Sequence, residues 1–360
     1  MNIDLKRFVD VNIKKHTSAA VIGTRDTVVL FTAEGTSSTP IDVISYSDAQ
    51  SKCAGMATTL AYLKVYFDCG GVNARVIGNT QYASLTSDMI SDLGNEYIVI
   101  AYAVPDANVE ACYSALETLA TTRAGTASIY GINEKLILAR SETYADTTLV
   151  KNFCAKYSNV LGAEMSIAAY LSNINVYGVD TVYDYMFTAE AIDPETMTDA
   201  NYETAITNNY NVNVRLAGAN RNCGGNCKDG ADLVNSFVRI VLHQTLTDVL
   251  LELLATKIND TTGISKITSV CSQELSKYVT CGYLTTNKTW TDNDLIVNYN
   301  SQSYTIIEKG TALVKGYLVR VLPFAALTDA DRAAHKAPPV YVVIADQYGI
   351  RAITINGDVI

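Results

Sequence analysis

The strongest constraint on this chain is an alternation between short apolar runs and helical stripes in its first third. Thr27 to Thr32 (TVVLFT) reads as a buried strand. Ser47-Asp-Ala-Gln50 has the form of a capping box, in which the Ser oxygen accepts from the helix N-terminus and Gln reaches back. Met56, Leu60, Leu63 and Phe67 then recur on one helical face. Gly70-Gly71 ends that helix, and Asn73 to Ile77 is a second strand. Tyr97 to Val104 (YIVIAYAV) is apolar almost throughout, as a strand covered on both faces would be. Strand–helix–strand units of this kind call for a parallel sheet with crossover helices.

The rest of the chain extends this α/β pattern and then departs from it. Gly35 to Pro40 is expected as a turn-rich loop. Leu149, Phe153 and Tyr157 suggest a helix, and Met165 to Leu171 another. Between Asp193 and Asn209 the pattern fades, which marks a boundary near residue 205. Tyr210, Val212, Val214 and Leu216 alternate with Asn211, Asn213 and Arg215, so a half-buried strand with one wet face is expected. Asp229 to Lys257 carries the longest helical stripe: Val238, Leu242, Leu246, Val249 and Leu253, widened by Phe237 and Val241. A helix over Ser265 to Cys281 follows, capped by Gly282. Strands are expected at Leu295–Tyr299, Tyr304–Ile307 and Gly316–Leu322, then a short charged helix from Asp329 to His335. Ala337-Pro338-Pro339 stops that helix. Strands at Val340–Ala345 and Arg351–Ile355 complete the sequence. The expected organisation is an arm over 1–20, an outer α/β domain over 21–205, an inner domain over 206–336 and a second arm over 337–360.

Charge and chemistry narrow the function. The net charge is −10 with no long basic run, which argues against nucleic-acid binding. Leu233 to Leu254 contains Arg239, His243, Asp248 and Glu252, so it reads as a soluble helix and no membrane insertion is expected. The first 20 residues show no secretory core, and the eight cysteines are expected to be reduced thiols of a protein folded in the cytoplasm. Cys223 and Cys227, in Asn222-Cys-Gly-Gly-Asn-Cys227, lack the further ligands that zinc requires, so no metal is expected. There is no glycine-rich nucleotide loop and no nucleophile elbow, and His16, His243 and His335 are isolated. No cofactor and no catalytic residue is assigned. Tyr is abundant, 23 against 7 Phe and 1 Trp, which suits surfaces buried on assembly or half-buried strands.

Both ends read as strands outside the apparent domains. An unpaired terminal strand leaves free N–H and C=O groups, which a neighbouring chain or the same chain can satisfy. The order of several segments resembles the contractile tail sheath proteins of phages. Lys228-Asp-Gly-Ala-Asp232, leading through Phe237 to Val241 into Leu246 to Leu254, is similar to that family's loop and long helix. Gly316 to Pro323, the charged segment Leu327 to Lys336, and Ala337-Pro338-Pro339 resemble its closing region, and Ala61 to Ile77 its helix ended by a glycine pair. The Cys223 to Cys227 insertion departs from the pattern.

The resemblance implies a mixed α/β, two-domain sheath fold with extended N- and C-terminal strand arms. It implies a structural subunit and not an enzyme, which polymerises as stacked hexameric rings around a tail tube. Contraction of the array would drive the tube through the host envelope. Its partners would be further copies of itself, the tube protein, the baseplate and the tail terminator or neck proteins. Assembly in the host cytoplasm would place it in the virion's tail sheath. Strand pairing between subunits is expected at Phe8, Val9, Val11, Ile13, Val340, Val342, Ile344, Ile353 and Ile355. His16 and Thr17, in the stretch to Ala20, and Pro338 and Pro339 are the expected hinges. Lys315, Arg320, Arg332 and Lys336 are the expected tube-facing cations. Other tail or baseplate proteins, and an α/β enzyme, are the alternatives.

Overall fold

The structure, a computed structural model, describes residues 11–13, 24–79, 97–103, 136–144, 153–179, 181, 184–254 and 260–346. Its first half contains β1 (Val11–Ile13), β2 (Thr24–Thr32), β3 (Thr36–Val43), α1 (Tyr46–Lys52), α2 (Ala57–Asp68) and β4 (Ala74–Asn79). β5 (Tyr97–Ala103), β6 (Leu136–Ser141), β7 (Phe153–Tyr157) and α3 (Met165–Ser172) follow. The second half contains α4 (Asp199–Thr207), β8 (Tyr210–Leu216), β9 (Ala219–Cys223), α5 (Leu233–Leu254) and α6 (Asp260–Thr280). Then come β10 (Lys288–Thr289), β11 (Leu295–Tyr299), β12 (Gln302–Ile307), β13 (Ala312–Leu313), β14 (Tyr317–Val321), α7 (Asp329–Ala333) and β15 (Val340–Ile344).

One sheet of eight strands, ordered β3-β4-β2-β5-β6-β7-β8-β9, organises the molecule. Its interior pairs are parallel, and β3 and β9 close the edges antiparallel. The expected strand–helix–strand unit is present: β2 and β4 are parallel neighbours joined through α1 and α2. Both faces of β2 are buried, with Val28 and Leu30 on one and Val29 and Phe31 on the other. That explains why the parallel strands read as continuous apolar runs.

Several local expectations change. Most of Gly35–Pro40 belongs to edge strand β3, whose register shifts between Ser37 and Ile41. Pro40 sits in that irregular stretch, where its missing N–H disrupts no regular ladder. The helix expected from Ser47 onward is two helices, broken where Gly55 adopts φ +86°. The α1 cap is Ser45 and not Ser47: Asp48 N donates to Ser45 Oγ at 3.2 Å, while Ile44 N donates to Asp48 Oδ2 at 3.1 Å. At α2 the cap position, Met56, has no polar side chain. Glu34 supplies the acceptor instead, taking the Thr58 and Thr59 amides at 3.0 and 2.8 Å. Gly70 and Gly71 end α2 as expected, with Gly70 at φ +89° and Gly71 N bonded to Tyr66 O at 2.9 Å.

Phe153–Tyr157 is strand β7 and not part of a helix. A spacing of four satisfies a period of two as well as one of 3.6, and Ala155 completes the strand face. The Asn face of β8 is dry. Asn211 and Asn213 are fully buried and nearby loops bond to them: Gly225 N donates to Asn211 Oδ1 at 2.6 Å, and Asn213 Nδ2 donates to Ile192 O at 2.7 Å, while Asn213 Oδ1 has no partner among the described residues. Polar alternation here encodes buried hydrogen bonding and not exposure. The sheet also runs through the boundary expected near residue 205, because β8 pairs with β7 and β9 extends it.

Helix α5 is buried on nearly every side from Leu233 to Leu246, including His243 at 2% exposure. α6 is amphipathic, burying Ile267, Cys271, Leu275 and Tyr278. One apolar cluster runs from Val28 and Leu30 through α5 and α6 to Val340 and Val342. Much of the tyrosine is core: Tyr62, Tyr66, Tyr102, Tyr185, Tyr278 and Tyr283 are among the largest fully buried side chains. No helix among the described residues is long and apolar enough to cross a membrane.

Candidate assembly surface

Three strands from distant parts of the sequence form a small second sheet, ordered β1-β15-β14. β14 and β15 are antiparallel, with Val319 opposite Val342 and Val321 opposite Val340. β1 lies parallel to β15 on its other side, with Val11 opposite Val340, Asn12 opposite Tyr341 and Ile13 opposite Val342. Alternation decides what each face meets. Val340, Val342 and Ile344 join the main apolar cluster with α5 and α6, and Val343 joins a smaller one. That smaller cluster contains Val297, Ile306, Ile307, Leu313 and Leu322, with Leu318 and Tyr341 against it. The sheet is therefore packed between helices and a β-rich unit. Within that unit, β11 and β12 turn at Asn300 and Ser301, at φ +47° and +62°, as a tight hairpin loop requires.

Among the residues expected to pair between subunits, Val11, Ile13, Val340, Val342 and Ile344 lie in this sheet. In the isolated chain their partners are internal: β15 is the middle strand, paired on both sides. Phe8, Val9, Ile353 and Ile355 lie outside the described residues, as do His16 and Thr17. The second expected hinge is fastened in this chain. Pro338 is buried, and the Pro339 carbonyl accepts from Leu322 N at 3.0 Å.

The four expected tube-facing cations divide into two pairs. Lys315 and Arg320 are exposed, just before and on β14. Arg332 and Lys336 are exposed on and after α7, but each meets an acid of that helix. Lys336 Nζ is 2.8 Å from Asp331, and Arg332 is 3.7 Å from Asp329. The α7 N-terminus is a capping box, with Asp331 N donating to Thr328 Oγ1 at 3.1 Å and Thr328 N to Asp331 Oδ2 at 3.3 Å. His335, at φ +55°, supplies the left-handed turn at its end.

The Asp-Gly-Ala-Asp segment has a local mechanism. Asp229 Oδ1 accepts from Ala231 N at 3.1 Å, Gly230 takes φ +79°, and Asp232 Oδ1 accepts from Asn235 N at 2.8 Å to cap α5. The Cys223–Cys227 insertion has a defined place as well. Gly224 and Gly225 adopt φ +122° and +95°, and a Cβ on Gly224 would lie 2.8 Å from Tyr210 O. The turn carries Cys227 to Cys154 of β7, Sγ to Sγ 3.2 Å, and leaves Cys223 on β9. Burial pushes the Cys154 thiol well up. Among the described residues no group of three His, Cys, Asp or Glu side chains is placed to hold a metal.

No protein-family model and no curated protein matches this sequence. Solved structures do match, over nearly the whole length. A chain of the anti-feeding prophage baseplate, 6-fold symmetrised, aligns with TM-score 0.66 at 14% identity, covering 96% of this chain and 97% of that one. A chain of the PVC sheath complex, an extracellular contractile injection system in its contracted state, aligns with TM-score 0.54 at 12% identity, covering 98% and 97%. The sheath tail protein of Listeria innocua aligns with TM-score 0.54 at 11% identity, covering 90% and 96%. This chain therefore has the fold of contractile-tail and injection-system sheath proteins.

Proposed function

We propose that this chain is the sheath subunit of a contractile tail or tail-like injection machine, a structural protein with no catalytic role. It polymerises as stacked hexameric rings around a tube, and contraction of the array drives the tube through a host envelope. The observation that carries the reading is the sheet uniting β1 with β14 and β15, in a fold that matches sheath chains end to end. β1 is joined to β2 by the ten residues 14–23, and a stretched chain of that length reaches about 35 Å. The same register is thus available to a neighbouring subunit. Exchange conserves the ladder bonds, each contributing about 0.5–1.5 kcal/mol net, so moving β1 between chains costs little.

The 6-fold symmetry of the matching baseplate supports the hexameric ring, and the contracted state of the matching sheath complex supports contraction. The partners are then further copies, a tube protein, and baseplate and terminator proteins, with assembly in the host cytoplasm. The outer α/β and inner tube-facing division near residue 205 is a division of surfaces across a shared sheet. On the inner side Lys315 and Arg320 contribute more to tube contact than Arg332 and Lys336, whose charge α7 already balances. A baseplate component is the second reading, favoured by the source of two matching chains.

Negative-stain electron microscopy of the purified chain separates these readings. Hollow striated cylinders or stacked rings are expected, alone or when the tube protein is added. Deleting residues 1–15 is expected to leave a folded monomer that forms none. Normal cylinders from the deletion would remove the strand-exchange proposal, and failure of the full chain to assemble on a tube would remove the sheath reading.

A further inference from the structure

Lys156, Glu190 and Asn222 come from three separate segments and meet where there is almost no solvent. Lys156 of β7 and Asn222 of β9 are fully buried, and the Glu190 side chain is 3% exposed. Lys156 is opposite Asn211 of β8, and Asn222 is opposite Asn213, two residues further along the same strand. All four residues thus share one face of the sheet, and Lys156 reaches diagonally across β8. Its Nζ donates to both Glu190 oxygens at 2.7 and 2.6 Å and to Asn222 Oδ1 at 3.0 Å. Ser166 Oγ donates to Glu190 Oε1 at 3.1 Å, and the Tyr185 hydroxyl donates to the same oxygen. The Tyr185 ring lies 5.4 Å from Nζ.

A fully buried ion pair is weak evidence for stability, because desolvation offsets most of its attraction. The assembly function makes no use of this one. The set does contain the parts of a reaction: an amine in hydrogen-bond contact with a carboxamide oxygen on one side and with a carboxyl able to relay protons on the other. Burial lowers the Lys156 pKa more than Glu190 raises it. Transfer of one proton from Nζ to Glu190 leaves a neutral amine beside a neutral acid, two forms that a dry site tolerates.

We propose that Lys156 and Asn222 are joined by an intramolecular isopeptide bond, formed by the protein itself with Glu190 as the proton relay. The neutral Nζ attacks Asn222 Cγ, forming the new N–C bond. Glu190, protonated by that first transfer, delivers its proton to Nδ2, and the carboxylate so regenerated takes the second proton from Nζ. The Cγ–Nδ2 bond then breaks and ammonia leaves. An amine and a primary amide become a secondary amide and ammonia, so no oxidant, nucleotide or metal is consumed. The bond ties β7 to the edge strand β9 across β8, so β9 cannot peel away under load. This inference rests on the three side chains and does not depend on the sheath reading.

Intact-mass measurement of the denatured full-length chain, with tandem mass spectrometry of a digest, tests it. The expected mass is lower than the sequence mass by one ammonia, about 17 Da. The digest is expected to contain a branched peptide joining Lys156 to Asn222. Glu190→Gln is expected to restore the full mass with a folded circular dichroism spectrum. A full mass for the unaltered chain overturns the proposal, as does a deficit located elsewhere, such as a succinimide at another asparagine. A branched peptide that persists in Glu190→Gln overturns the role of Glu190. If that variant does not fold, the unaltered chain's mass alone decides the bond.

Discussion

Ile13 lies opposite Val342 in a parallel register, so β1 and β15, far apart in the sequence, meet in one ladder. Val342 is also opposite Val319 of β14, and its side chain is 1% exposed within the main apolar cluster. A single strand thus ties the terminal arm to the helical core, and each contact depends on the others.

Val342→Asp is expected to lower stability by about 3–5 kcal/mol, since it buries an unpaired charge. Chemical denaturation measures this. Deletion of residues 1–15, by contrast, is expected to remove assembly while leaving most of that stability. An arm deletion as destabilising as Val342→Asp would show that β1 serves the monomer's own fold first.

Asp232→Ala removes the acceptor at the start of α5. The expected loss is about 0.5–2 kcal/mol in a denaturant titration, with Asp232→Asn recovering most of it. Equal losses for both variants would mean that the carboxylate's charge, and not the cap, holds the helix.

Glu34 makes stability depend on acid. Burial raises its pKa, but the hydrogen bonds from Thr59 and Thr58 outweigh this and hold it below its ordinary 4.5. Its stabilisation is therefore complete above about pH 4.5 and falls as pH drops through the lowered value. Glu34→Gln is expected to be less stable than the unaltered chain near neutrality, with the difference shrinking on acidification. Melting temperatures at several pH values check this, and a gap that widens in acid would contradict it.

Gly71 has no room for a side chain. A Cβ there would lie 2.4 Å from the Tyr66 ring, which is buried and donates through its hydroxyl to Asn73 O at 2.7 Å. Gly71→Ala is expected to cost about 1–3 kcal/mol by overpacking. Gly55→Ala has open space around it but an unfavourable φ, so its cost is backbone strain alone, about 1 kcal/mol. Denaturation of the pair compares the two effects.

Charge reversal at Lys315 and Arg320 is expected to weaken tube decoration more than reversal at Arg332 and Lys336, while rings still form. Each exposed ion pair of α7 contributes only about 0–1 kcal/mol, so neither double variant should unfold. Co-sedimentation with the tube protein measures decoration. Decoration unchanged in both variants would remove these residues from the tube interface.

The Asn alternation of β8 marks one limit of periodicity. Its period identified a strand correctly, but a period cannot say whether a polar face meets water or a loop carbonyl. That depended on Ile192 and Gly225 folding over it. Phe153 and Tyr157 illustrate a second limit, since a four-residue spacing fits both regular structures. Lys156, Glu190 and Asn222 carry no motif at all, and only the crossing of three segments brings them together. What the sequence determined by itself were features encoded within a few residues: the apolar strands, the α5 stripe, the glycine-pair stop and the Asp-Gly-Ala-Asp turn. The tertiary structure alone decided which strands are neighbours, which edge each one faces and which polar groups are dry. Those outcomes depend on contacts between residues far apart in the chain, which local periodicity does not record.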